Sequence, residues 1–101
     1  MVQNTRLKEQ SFLVYGLGLS GQSVVKFFKR NSFKNFKIWD DKQKNLFKNY
    51  RTKNLKKTLN QVNYIVLSPG ISLLKNKILS EFKKKIITDI DLFFLTNNRF
   101  K

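Results

Sequence analysis

Residues 12–28 read FLVYGLGLSGQSVVKFF. The apolar run Phe12 to Tyr15 stops at Gly16, and apolar residues resume at Val24, Val25, Phe27 and Phe28 with helical spacing. A strand buried on both faces, a glycine turn and a helix account for that order. Within the turn Gly16, Gly18 and Gly21 stand as G-x-G-x-x-G, and Asp40 follows Gly21 by 19 residues at the end of the next strand-like run.

Outward from this stretch the pattern alternates. Phe36 to Trp39 reads as a second strand ending at Asp40-Asp41, and Lys42 to Tyr50 as a short basic helix carrying Leu46, Phe47 and Tyr50. Asn54 to Gln61 carries the weakest signal. Val62 to Leu67 is rich in strand formers and stops at Ser68-Pro69-Gly70, where proline fixes φ and glycine relaxes it. A third helical face follows at Ile78, Leu79 and Phe82, a brief strand at Ile86-Ile87, and a fourth helical face at Ile90, Phe93 and Phe94 with Thr88 or Asp89 as N-cap. Alternation of this kind predicts an α/β domain, with a parallel sheet of about four to five strands between two helix layers. The 101 residues suffice for one such domain, with no repeat or linker to divide them.

Composition narrows the chemistry. The chain has no Cys and no His, which removes thiolate and imidazole metal sites, disulfides and the commonest general base. No run approaches the roughly 20 apolar residues of a membrane span, and Met1 to Gln10 lack an apolar signal core, so a cytoplasmic protein without a membrane partner is expected. The formal charge of +15 invites a polyanion, yet 17 lysines against 4 arginines are dispersed along the chain, and Asn, Phe and Ile are abundant as well. A general drift in composition would account for the lysine excess without a binding role, and a basic groove is the alternative. Without an RNP-like or helix-turn-helix pattern, no specific nucleic-acid partner is expected.

A parallel sheet binds ligands at the carboxyl ends of its strands, where Gly16–Gly21, Asp40–Lys42 and Ser68–Gly70 all fall. Each glycine of the first turn has a job: Gly16 permits the tight turn, Gly18 lets a phosphate approach the backbone, and Gly21 lets helix and strand pack closely. Unpaired N–H groups around Leu19, Ser20 and Gly21 suit an anion, which the helix dipole also favours. Ser20 adds a hydroxyl, and Asp40 suits a ribose hydroxyl or a base N–H. The spacing leaves two ligand types open, a dinucleotide such as NAD and a nucleotide-diphosphate sugar.

Three stretches in order, YGLGLSGQS (15–23), NYIVLSPGI (63–71) and TDIDLFF (88–94), resemble the Rossmann-like N-terminal domain of the Mur ligases, and within them the branch that adds D-glutamate. The resemblance runs from about Ser11 to about Phe94. It implies a domain that docks the UDP part of UDP-N-acetylmuramoyl-L-alanine in peptidoglycan synthesis. By position, Gly18, Leu19 and Ser20 would meet the diphosphate, Asp40, Asp41 and Lys42 the uracil and its surroundings, and Gly70 would offer its backbone to the same nucleotide. Ser68 and Pro69 shape the turn, and Asp89 and Asp91 serve the helix start.

The resemblance further implies a central ATP-binding domain and a third domain, neither of which lies within these 101 residues; the G-K-[ST] signature of a P-loop is absent. ATP and Mg therefore belong to the remainder of such a ligase, and this domain, without a cofactor of its own, is expected to be catalytically silent alone. Phe93, Phe94 and Phe100 would pack on the neighbouring central domain.

Overall fold

The computed structural model describes residues 7–72 and 76–98. Four strands, β1 (Phe12–Tyr15), β2 (Phe36–Trp39), β3 (Tyr64–Leu67) and β4 (Ile86–Ile87), form one sheet in the order β2-β1-β3-β4. Every pairing is parallel, with Phe12 opposite both Phe36 and Tyr64. Because β1 lies between two neighbours and under helices on both faces, its four residues are all buried, which explains an apolar run without alternation.

Helices α1 (Leu19–Arg30), α2 (Leu55–Gln61), α3 (Lys77–Ser80) and α4 (Asp89–Asn98) complete a three-layer, Rossmann-like α/β domain. Strand alternation sorts the core into two halves. Phe12 and Val14 pack with Val24, Val25 and Phe28 of α1 and Leu92 of α4, whereas Leu13 and Tyr15 pack with Leu59 of α2 and Leu79 of α3. The first half is aromatic: the Phe12 and Phe28 rings are 4.9 Å apart, and Phe93 meets Phe27 edge-on at 5.3 Å.

Local sequence explains the ends of these elements. Asn54 caps α2, its Oδ1 accepting from the Lys57 N–H at 3.0 Å, and Lys85 Nζ closes the other end on the carbonyls of Leu59 and Asn60, each at 2.8 Å. At α4 the N-cap is Thr88. Its Oγ1 accepts from the Asp91 N–H and Asp91 Oδ2 accepts from the Thr88 N–H, both at 3.1 Å.

Three expectations change. Residues 42–50 form no α-helix: only Lys48–Tyr50 makes a 3₁₀ turn. Phe47 sits at φ 53, in the left-handed region, which an α-helix through these residues does not admit. The first helix starts at Leu19, five residues before apolar residues resume at Val24. On α4 the buried positions are Leu92 and Thr96, while Ile90 and Phe94 are 73% and 63% exposed. Phe100 lies outside the described residues. Among those residues no helix is long and apolar enough to cross a membrane.

Candidate functional site

At the carboxyl rim the turns after β1 and β3 and the end of β2 enclose a crevice of about 400 Å³, lined by Gly18, Leu19, Ser20, Asp40, Pro69 and Gly70 among others. That size falls in the range of small-molecule sites. Five of the seven residues expected from sequence thus come together, Gly18, Leu19, Ser20, Asp40 and Gly70. Asp41 and Lys42 are exposed on the adjoining loop and do not line it. A second hollow, about 270 Å³, lies at the amino ends of β1 and β2 between Lys37 and Gln61, away from the glycine turn.

The glycines divide by what requires them. Gly16 has φ 100, which L side chains rarely adopt, and an added Cβ would lie 2.7 Å from Ile71 Cδ1. At Gly21 the obstacle is packing, because a Cβ would lie 1.9 Å from the Gly16 carbonyl oxygen. Gly18 differs. Its φ of −73 and ψ of −166 suit any residue, and an added Cβ would meet nothing within 4 Å.

Asp40 organises the rim. Oδ2 accepts from the Leu17 N–H at 2.6 Å, and Oδ1 accepts from the N–H groups of Lys42 and Gln43 at 2.8 Å each. About one acceptor site of the usual four stays open. Partial burial pushes this carboxyl up. The N–H donors of Gln43, Leu17 and Lys42 and the Arg51 guanidinium outweigh that and hold it below the ordinary carboxylate value.

Several contributors escape sequence reasoning. Gln22 Nε2 and Gln43 Nε2 both donate to the Leu17 carbonyl, at 3.0 and 2.8 Å. Arg51 lies over Trp39, 4.1 Å from the ring centroid, and donates to the Asp40 carbonyl at 3.0 Å, while Asp41 Oδ1 accepts the indole N–H at 2.8 Å. Ser68 Oγ donates to the Gly16 carbonyl at 3.2 Å, fastening the two glycine-containing turns together. Ser68 and Gln22 sit within motif stretches that signal the turns, without a sign of these bonds; Gln43 and Arg51 sit in none.

Chemically, the rim offers an anion the amides that open α1. Gly18 is the N-cap without a side-chain cap, no acidic residue occupies the first turn, and the helix dipole points its positive end at the crevice. Ser20 stands at the same opening with its hydroxyl. Tyr15, at the end of β1, has its phenol raised, chiefly by burial; its oxygen accepts from Asn76 Nδ2 at 3.1 Å. Among the described residues no three acidic side chains gather as a metal site.

No curated protein matches the chain. The family model described as "Mur ligase MurD-like, N-terminal domain" matches residues 10–89, which contain β1 through β4 and all three rim turns. With that match covering most of its length and the sheet and glycine turn in place, this chain belongs to the Mur ligase family of peptidoglycan synthesis, as a MurD-like N-terminal domain.

Proposed function

We propose that the crevice holds the uridine diphosphate of UDP-N-acetylmuramoyl-L-alanine, and that the chain is the substrate-docking domain of a cytoplasmic ligase that adds D-glutamate to it. The observation that carries this reading is Gly18: neither its backbone angles nor the surrounding protein requires glycine, and the space a Cβ would fill lies on the crevice. Clearance for a ligand close to the main chain is a physical reason for glycine there. In this reading the Leu19 and Ser20 amides and the Ser20 hydroxyl hold the diphosphate, and Gly70 offers its backbone from the facing turn. The loop of Asp40, Asp41 and Lys42 holds the uracil end, with Asp40 using its open acceptor site for a base N–H.

The 101 residues hold no P-loop sequence, and among the described residues no three-carboxylate cluster, to fit ATP and Mg. The domain docks substrate, and by itself it ligates nothing. Calorimetry on the 101-residue chain tests the reading. Saturable binding of UDP and of UDP-N-acetylmuramoyl-L-alanine, weakened in Ser20→Ala, is expected; binding of NADH without UDP would overturn it.

A further inference from the structure

Leu17 is held by three side chains that come from two other parts of the chain. Its N–H donates to Asp40 Oδ2, and its carbonyl accepts from Gln22 Nε2 on α1 and from Gln43 Nε2 on the loop after β2. That carbonyl belongs to the same planar unit as the Gly18 N–H, which points the opposite way in a trans peptide. Among the described residues the Gly18 N–H has no hydrogen-bond partner. Two donors on one carbonyl fix the plane of the unit, and they draw electron density from its nitrogen, which strengthens the N–H at the other end.

We infer that Gln43, acting with Gln22, is a positioning residue for anion binding: by holding and polarising the Leu17–Gly18 peptide it sets the Gly18 N–H as a donor to the phosphate groups. The inference rests on the reading of the crevice as a diphosphate site. Gln43 is exposed and 26 residues from Leu17, so its side chain adds little to the core, and the hydrogen bond its side-chain amide donates to the Leu17 carbonyl is its distinctive contribution to the rim. It also makes the two ends of the site interdependent. The loop that carries Asp40 is tied through Gln43 to the turn that meets phosphate, so ordering one end orders the other.

The test compares wild type with Gln43→Ala and Gln43→Glu, whose carboxylate cannot donate to the Leu17 carbonyl, and with Gln43→Lys, whose ammonium can. Two quantities are read: the Gly18 amide proton shift by NMR, and affinities for UDP, inorganic pyrophosphate and uridine. Gln43→Ala is expected to move the Gly18 amide upfield and to weaken UDP and pyrophosphate about three- to tenfold, with uridine unchanged. Gln43→Glu should weaken them further and Gln43→Lys should restore them. A merely structural role would not separate pyrophosphate from uridine. If wild type binds UDP and pyrophosphate but Gln43→Ala leaves both affinities unchanged, the positioning role falls and the diphosphate site stands. If wild type binds neither, both readings fall. A Gly18 amide that does not respond to Gln43→Ala overturns the inference whatever binds.

Discussion

The main-chain N–H of Leu17 donates to Asp40 Oδ2 at 2.6 Å, joining the turn after β1 to the end of β2 across 23 residues of sequence. With the two Oδ1 contacts to Lys42 and Gln43, one carboxylate holds two of the three segments that enclose the crevice.

Asp40→Asn keeps the shape and loses the charge. It is expected to lower stability by about 1–2 kcal/mol at pH 7, since hydrogen bonds to a charged acceptor are the stronger kind and this one is only partly buried. Chemical denaturation at several pH values checks it. The folded carboxyl is held below its ordinary value, so its contribution is fully present above the unfolded value of about 3.9 and is lost as pH falls through the folded one. In the Asn variant that part of the acid slope disappears.

Gly21→Ala and Gly18→Ala should separate folding from binding. The first drives a Cβ to 1.9 Å from the Gly16 carbonyl oxygen, and a loss above about 3 kcal/mol or failure to fold is expected. The second enters open space with favourable angles; stability should stay within about 1 kcal/mol of wild type, while UDP affinity drops. Thermal melts paired with calorimetry read both.

Arg51→Ala removes the guanidinium from Trp39 and a donor from the Asp40 carbonyl. A loss of about 1 kcal/mol is expected. Since Trp39 is the chain's single tryptophan, its emission should shift to the red on native protein, and fluorescence measures this directly.

Thr88→Val removes the Oγ1 that accepts from the Asp91 N–H, one half of the reciprocal pair at the start of α4. Stability should fall by about 1 kcal/mol, and hydrogen exchange should rise in the first turn of α4 while α1 keeps its protection.

The layered architecture was legible because β1 is apolar without interruption and stops at glycine, a combination that a strand buried on both sides explains. The duties of Gly16, a tight turn, and of Gly21, close packing of helix on strand, could be assigned from spacing. Residues 42–50 misled because Leu46, Phe47 and Tyr50 repeat at near-helical spacing and are half-buried beside α1, yet Phe47 takes a left-handed backbone angle that an α-helix does not admit. On α4, where apolar residues surround the helix, periodicity could not decide which side faces inward. The glutamine pair on Leu17 was invisible for a different reason: Gln43 meets its partner only once β1 and β2 lie side by side.

The sheet's two margins carry a consequence for handling the protein. β4 has only two residues, while outermost β2 exposes Lys37 and has Arg51 bridged beside Ile38. Short, charged or shielded borders give a second molecule little free ladder to extend. Concentrated samples should therefore resist cross-β polymerisation even though the interior strands are as apolar as those of many fibril-forming segments.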